Sequence, residues 1–326
     1  MSGLQPKAQR LPQWMRRPIS TDEKYPDVSK LLADLNLNTV CASANCPNRH
    51  ECWNSGTATV MILGDVCTRA CRFCAVHTGK GLPVDPEEPA RVAEAAEKLD
   101  LKHVVITSVT RDDLPDGGAG AFAETIRAVR ERTPDVVIEV LTPDFLEHLD
   151  TVLDAGPDVF NHNLETVKRL QAAIRPQASY ERSLATLQKA SEWNCRTGLS
   201  GIPDSPCLDD ETRALEYERH VLQVDRSLSK RKIQIKSGLM LGLGETDEEV
   251  FQTLEDLYAA GVRLLTLGQY LAPTRKHHQV ERFVSPEKFD ELGAQAREMG
   301  FEGVAAGPLV RSSYRADQLA QESKEN

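Results

Sequence analysis

Six cysteines fall between positions 41 and 74 and sort into two triplets. In the second, Cys67-Thr-Arg-Ala-Cys71-Arg-Phe-Cys74, three residues and then two separate the thiols. In the first, Cys41, Cys46 and Cys52 are separated by four residues and then five. Thiolate sulfur is soft and favours iron–sulfur clusters, zinc or copper(I). The second spacing is too tight for a disulfide ladder and one thiolate short of a closed structural zinc site. An iron–sulfur cluster held by three thiolates keeps one iron free for a small molecule. Two zinc alternatives stand beside this reading: His77 as a fourth ligand to the second triplet, and a zinc knuckle using His50 with the first. Cys67 and Cys74 lie seven residues apart. An extended chain would separate them by roughly 23 Å, so the loop must curl if they share one cluster.

Other elements must position that loop. From Thr59 onward, apolar strands at 59–63, 103–108, 136–141, 158–162, 233–241 and 264–270 alternate with helices. The helices fall near 89–99, 120–132, 144–155, up to about 193, 248–260 and 286–299. Such alternation means a parallel sheet covered on its outer face. Six units predict an α/β fold, a partial (β/α)6 TIM-like barrel, in which chemistry gathers at the C-terminal strand ends. Cys67 follows the first of these strands. Residues 1–56 read as an irregular N-terminal extension with a short helical stretch at 28–35, 57–305 as the barrel, and 306–326 as a tail closing its mouth. A surface insertion at 195–232 interrupts the rhythm, loop-like over 195–210 and charged and helical over 211–227. Its Cys195 and Cys207 have no metal motif around them and read as plain thiols. From Gln318 the chain is polar and expected to fray.

The net charge of −10 over 326 residues disfavours nucleic acid as the main partner. Hydrophobic residues make up 40 %, enough for a sizeable core, with no run long enough to span a bilayer. Arg10, Arg16 and Arg17 precede the first acid, Asp22, but Pro6, Pro12 and Pro18 argue against an amphipathic targeting helix. Eight cysteines without a secretory signal suit a reducing compartment, here the cytoplasm.

The Cys67-x3-Cys71-x2-Cys74 loop resembles the signature of the radical S-adenosylmethionine (radical SAM) enzymes. That resemblance implies a 4Fe–4S cluster whose open iron chelates SAM, and whose reduction releases methionine and a 5′-deoxyadenosyl radical. Phe73 matches the aromatic residue that the superfamily packs near the cofactor. The first triplet acquires meaning beside Gly307-Pro-Leu-Val-Arg311-Ser312-Ser313-Tyr314-Arg315. Together they resemble the lipoyl synthases, in which such a triplet and a serine of an Arg-Ser-Ser-Tyr motif hold an auxiliary 4Fe–4S cluster. Other stretches share the likeness, among them Asn54-Ser-Gly-Thr-Ala-Thr59, Phe160-Asn-His-Asn-Leu-Glu-Thr166 and Lys236-Ser-Gly-Leu-Met-Leu-Gly-Leu-Gly-Glu-Thr246. It departs at the long 195–232 insertion and at Gln279, where proline is usual.

The resemblance implies insertion of two sulfur atoms into a protein-bound octanoyl chain, with the auxiliary cluster as sulfur source. Its metal ligands would be Cys67, Cys71 and Cys74 for the radical cluster, and Cys41, Cys46, Cys52 and Ser313 for the auxiliary one, with Ser312 as the alternative. Thr107 and Ser108 are candidates for the SAM amino group, Asn163 and Glu165 for its ribose, and Arg175 for its carboxylate. Implied partners are octanoylated carriers (the glycine cleavage H protein and the lipoyl domains of 2-oxoacid dehydrogenase E2 subunits), a ferredoxin or flavodoxin donor, and cluster-delivery proteins. Two other classes remain: a biotin-synthase-like enzyme or methylthiotransferase, and a non-catalytic cluster carrier or zinc-stabilised module.

Overall fold

The computed structural model describes residues 11–16, 24–43, 46, 48–196, 232–314 and 316–319. Its strands are Asn38–Thr39 (β1), Thr57–Ile62 (β2), Val66–Cys67 (β3), His77–Thr78 (β4), His103–Ser108 (β5), Val137–Leu141 (β6), Val159–Asn161 (β7), Gln234–Leu241 (β8), Leu264–Gln269 (β9) and Gly303–Gly307 (β10). Eight of them form one sheet in the order β1-β2-β5-β6-β7-β8-β9-β10. All neighbours are parallel except β1, which runs antiparallel to β2. The six strands expected from the apolar runs are present, and β10 is an additional parallel one. Among the described residues the edges do not pair, so the barrel is partial.

Helices cover the outer face for local reasons. Glu88–Lys98 buries Val92, Ala93, Ala95 and Ala96, one stripe of a 3.6-residue period. Asp247–Ala259 starts at Thr246, whose side chain accepts from the Glu249 amide while Glu249 reaches back, a capping box. The helix expected at 144–155 is instead a 3-10 turn, Leu146–His148, leading into the short α-helix Leu149–Leu153. Tyr180–Arg196 continues through Cys195, where a loop had been expected. Cys207 and the 211–227 helix lie outside the described residues. The N-terminal extension is more structured than its sequence suggests, with helices Lys24–Asp34, Val40–Ser43 and Arg49–Asn54.

The chain beyond β10 bridges the feet of β2, the first parallel strand, and of β10, the last. The Thr57 hydroxyl, at the start of β2, reaches Asp317 (3.5 Å). A Cβ on Gly303, at the start of β10, would meet the Leu319 carbonyl at 3.0 Å. Leu319 is buried with Val159 and Leu264. The fraying expected from Gln318 therefore does not begin there, because Leu319 fills the barrel floor.

A charged cluster lies inside the barrel. Lys236 Nζ donates to both oxygens of Glu139 (2.9 and 3.1 Å). Asn161 and the His103 Nε2–H donate to the same carboxylate (2.9 and 3.2 Å). Burial pushes the Glu139 carboxyl up, but Lys236 and His103 outweigh it and hold it at about 2 rather than the ordinary 4.5. A depressed carboxyl contributes stability above its unfolded pKa and loses it as pH falls toward the folded one. Glu139→Gln leaves Lys236 buried without its counter-ion and is expected to cost about 3–5 kcal/mol near neutrality. In urea melts of the full-length chain that penalty should shrink between pH 4.5 and about 2; parallel pH profiles for parent and variant would contradict it.

Candidate active site

β2 delivers the chain to the second triplet at its C-terminal end. The loop then folds back on itself: β3 pairs with β4 (Val66 with His77, Cys67 with Thr78), and the Gly79 amide donates to the Cys67 carbonyl at 2.9 Å. This is the curl that a shared cluster requires. Cys67 Sγ accepts from the Arg69 and Thr110 amides, each at 3.4 Å. The His277 Nε2–H donates to the Cys74 carbonyl (3.0 Å), so the loop after β9 also braces the triplet. Burial raises the Cys71 thiol, opposed by the Arg175 guanidinium, and pushes Cys74 up to about 11. Thiols held protonated in this way must release protons when they bind metal. His77 is exposed on β4. Among the described residues no three Cys, His, Asp or Glu side chains converge on a single ion. Thiolates that each bind a different iron of a cubane need not converge so closely.

Of the expected SAM-binding residues, Asn163, Glu165 and Arg175 come together near Cys71, while Thr107 and Ser108 end β5. Ser108 closes β5, and its buried Oγ has no protein partner among the described residues; the same holds for Asn163 Oδ1 and Arg175 Nε. Arg175 Nη1 donates to the carbonyls of Asn163 and Leu164 (3.2 and 3.1 Å). Both Arg175 and Glu165 act electrostatically on Cys71. Glu165 adopts a left-handed conformation (φ 70°), fixed where its amide and carbonyl bond Gly238 and Met240. Such strain in a non-glycine residue persists only where its surroundings over-determine it. Burial raises the Glu165 carboxyl, opposed by Arg175 and Asn163. Gly238 makes room here, since a Cβ would sit 2.4 Å from Thr266 Oγ1 and 3.0 Å from Asn163 Oδ1. Thr107 differs from its neighbour: its hydroxyl donates to the Leu141 carbonyl at 2.8 Å and supports the sheet. Phe73 packs, partly buried, against the core. Unpartnered polar atoms, with a guanidinium and a carboxyl that act on Cys71, fit a polar, charged nucleoside cofactor on a cluster.

His162 supports this wall. Its Nδ1–H donates to the Thr142 carbonyl (2.8 Å), so Nε2 accepts from Ser183 (3.0 Å). Burial, then Arg175, lowers it to about 4 and keeps it neutral.

The first triplet is tied to the C-terminal tail. Cys41 is buried in Val40–Ser43, its thiol raised by burial and by Cys46. Asn48 Nδ2 donates to the Leu309 carbonyl (2.6 Å), and Tyr314 Oη to Glu51 (2.9 Å), one residue before Cys52. Arg311 is close enough to Cys46 to interact with it electrostatically. Residues on either side of Ser312 and Ser313 thus meet the segment carrying Cys46 and Cys52. Gly268 of β9 admits the same tail, because a Cβ there would sit 2.2 Å from the Val310 carbonyl.

The Radical SAM superfamily matches residues 61–211. A lipoyl synthase from Thermus thermophilus is 49 % identical over 325 residues, covering 98 % of this chain and 89 % of that protein. The chain belongs to the lipoyl synthase family. Relatives from Halalkalibacterium halodurans and Bacillus subtilis are 47 % and 45 % identical, covering 97 % and 96 % of this chain and 93 % and 95 % of theirs. Lipoyl synthases are radical SAM enzymes, so SAM and 4Fe–4S clusters are the cofactors that membership brings. Among the described residues no helix is long and apolar enough to cross a membrane.

Sequence reading missed the residues that brace the cysteine segments: Arg69, Asp112 and Asp144 around the second triplet, Asn48 and Glu51 around the first. Tyr314 was visible as part of a motif, but its partner was not.

Proposed function

We propose that this chain inserts sulfur at carbons 6 and 8 of an octanoyl group amide-linked to a lysine of a carrier protein. The observation that carries the reading is the pairing of two thiol triplets, one on the barrel's strand ends and one bonded to a serine-bearing tail. Carbons 6 and 8 are unactivated, and no side chain approaches the pKa needed to deprotonate them. When bound, the radical cluster and SAM supply a 5′-deoxyadenosyl radical, which such C–H bonds require.

The protein's residues hold, orient and exclude. Cys67, Cys71 and Cys74 hold the radical cluster. Ser108 faces the SAM amino group while Thr107 braces the strand end beside it, Asn163 and Glu165 face the ribose, and Arg175 the carboxylate by charge-assisted pairing; Phe73 packs beside them. Cys41, Cys46, Cys52 and Ser313 hold the second cluster, which is consumed as the sulfur substrate. Serine oxygen is harder than thiolate and far less acidic, so it binds iron less firmly and releases it more readily. The tail over Gly268 narrows the mouth and limits water, against which a carbon radical must be protected.

The octanoylated carrier is the H protein or an E2 lipoyl domain, the electron donor a ferredoxin or flavodoxin, with cluster-delivery proteins restoring the spent centre in the cytoplasm. Anaerobic reconstitution should give about eight irons per chain. The deciding experiment uses enzyme grown on heavy sulfur, a single turnover with light reagents, and mass spectrometry of an octanoyl-lysine peptide. The lipoyl product should carry heavy sulfur; a light product would exclude the cluster as donor.

A further inference from the structure

Residues 68–74 are held mainly by hydrogen bonds. The Thr68 amide donates to the Thr110 carbonyl (3.0 Å), Ala70 to Gln177 Oε1 (2.7 Å) and Arg72 to the Ile174 carbonyl (2.8 Å). Within this segment Arg69 sends its guanidinium to two strand-end loops at once. Nε and Nη2 fork onto Asp112 in the loop after β5 (2.9 and 2.7 Å), while Nη1 meets Asp144 in the loop after β6 (2.6 Å). Arg182, on the helix Tyr180–Arg196, faces the second oxygen of Asp144. An exposed ion pair would contribute little, but the Arg69 and Asp144 side chains are only 11 % and 1 % exposed. Burial disfavours the Arg69 charge, and the Asp112 and Asp144 carboxylates more than compensate. The same residue's backbone amide points at Cys67 Sγ (3.4 Å). The guanidinium anchor and one thiol's orientation are therefore linked through a single residue.

We propose that Arg69 is a positioning residue that sets the cysteine loop before any iron arrives, by joining it through Asp112 and Asp144 to the loops after β5 and β6. This rests on reading Cys67, Cys71 and Cys74 as cluster ligands. A planar fork suits the task, since lysine could not engage both carboxylates in one geometry. Without Arg69 the loop keeps backbone bonds that water can replace, and the three thiols lose their common orientation.

The test is amide hydrogen exchange on the full-length cluster-free chain, followed by iron analysis after reconstitution. Arg69→Met is expected to speed exchange at 68–74 by about tenfold or more, and Asp112→Asn, whose side chain is 48 % exposed, by less, as local opening does, with β6 and β8 unchanged. Reconstituted Arg69→Met should hold about four irons, those of the first triplet, against about eight in the parent. Parent-like exchange in the loop, or acceleration spread evenly across the sheet, would overturn the proposal. So would faster loop exchange with parent-like iron content and cluster spectrum, because the loop would then need no prior setting. If the parent itself binds no iron at the second triplet, the ligand assignment fails rather than the clamp.

Discussion

Replacing Cys71 by alanine is expected to abolish reductive cleavage of SAM while leaving the first triplet's cluster, about four irons, in place. The rate of 5′-deoxyadenosine formation should fall at least about a thousandfold, a barrier increase of about 4 kcal/mol. The size of the effect follows from position. Cys71 interacts electrostatically with Arg175 and Glu165, so its thiol lies beside the candidate cofactor residues. Two remaining thiols cannot hold a cluster and also keep an iron open. Cys71 is only half-buried and contributes little apolar packing, so the variant should melt close to the parent. Iron analysis, chromatography of the nucleoside and a thermal melt check this together. Persistent SAM cleavage would remove Cys71 from the ligand set.

Ser313→Cys separates the two clusters' roles. The variant should bind about eight irons and cleave SAM at the parent's rate, yet form lipoyl product about a hundredfold more slowly. A thiolate grips iron harder than a hydroxyl does, and sulfur cannot leave a cubane whose iron will not go. The tail should stay in place, because the Tyr314–Glu51 and Asn48–Leu309 bonds flanking the serines are untouched. Ser312→Cys is the control and should make product normally. If the two variants exchange phenotypes, Ser312 is the ligand; if both make product normally, ligand lability does not govern turnover.

Local signals made the barrel legible. Strands such as His103–Ser108 carry β-branched apolar runs, here Val104, Val105 and Ile106, and Thr246 with Glu249 announces a helix start. The additional parallel strand β10 was invisible because Gly303-Val-Ala-Ala-Gly307 carries no such signal. Its small residues answer to a constraint from elsewhere, for Gly303 must leave room for Leu319. The short helices around the first triplet hid for a similar reason: Asn48 and Glu51 find partners 261 and 263 residues away. Arg69 reads as a loop cation until Asp112 and Asp144, 43 and 75 residues on, are brought beside it. The thiols themselves were plain, because metal chemistry imposes spacing directly on the sequence. The residues that orient them obey only the fold.

The C-terminal strap has an experimental consequence. From Val310 beside Gly268 to Leu319 beneath Val159, one short stretch spans the barrel from top to bottom. Clipping the chain after Gly307 would discard the candidate ligand Ser313 and uncover Val159 and Leu264 in the same cut. Inactivity of such a truncation says nothing about chemistry on its own. Point changes that spare Leu319 are the way to tell a missing ligand from an unplugged core.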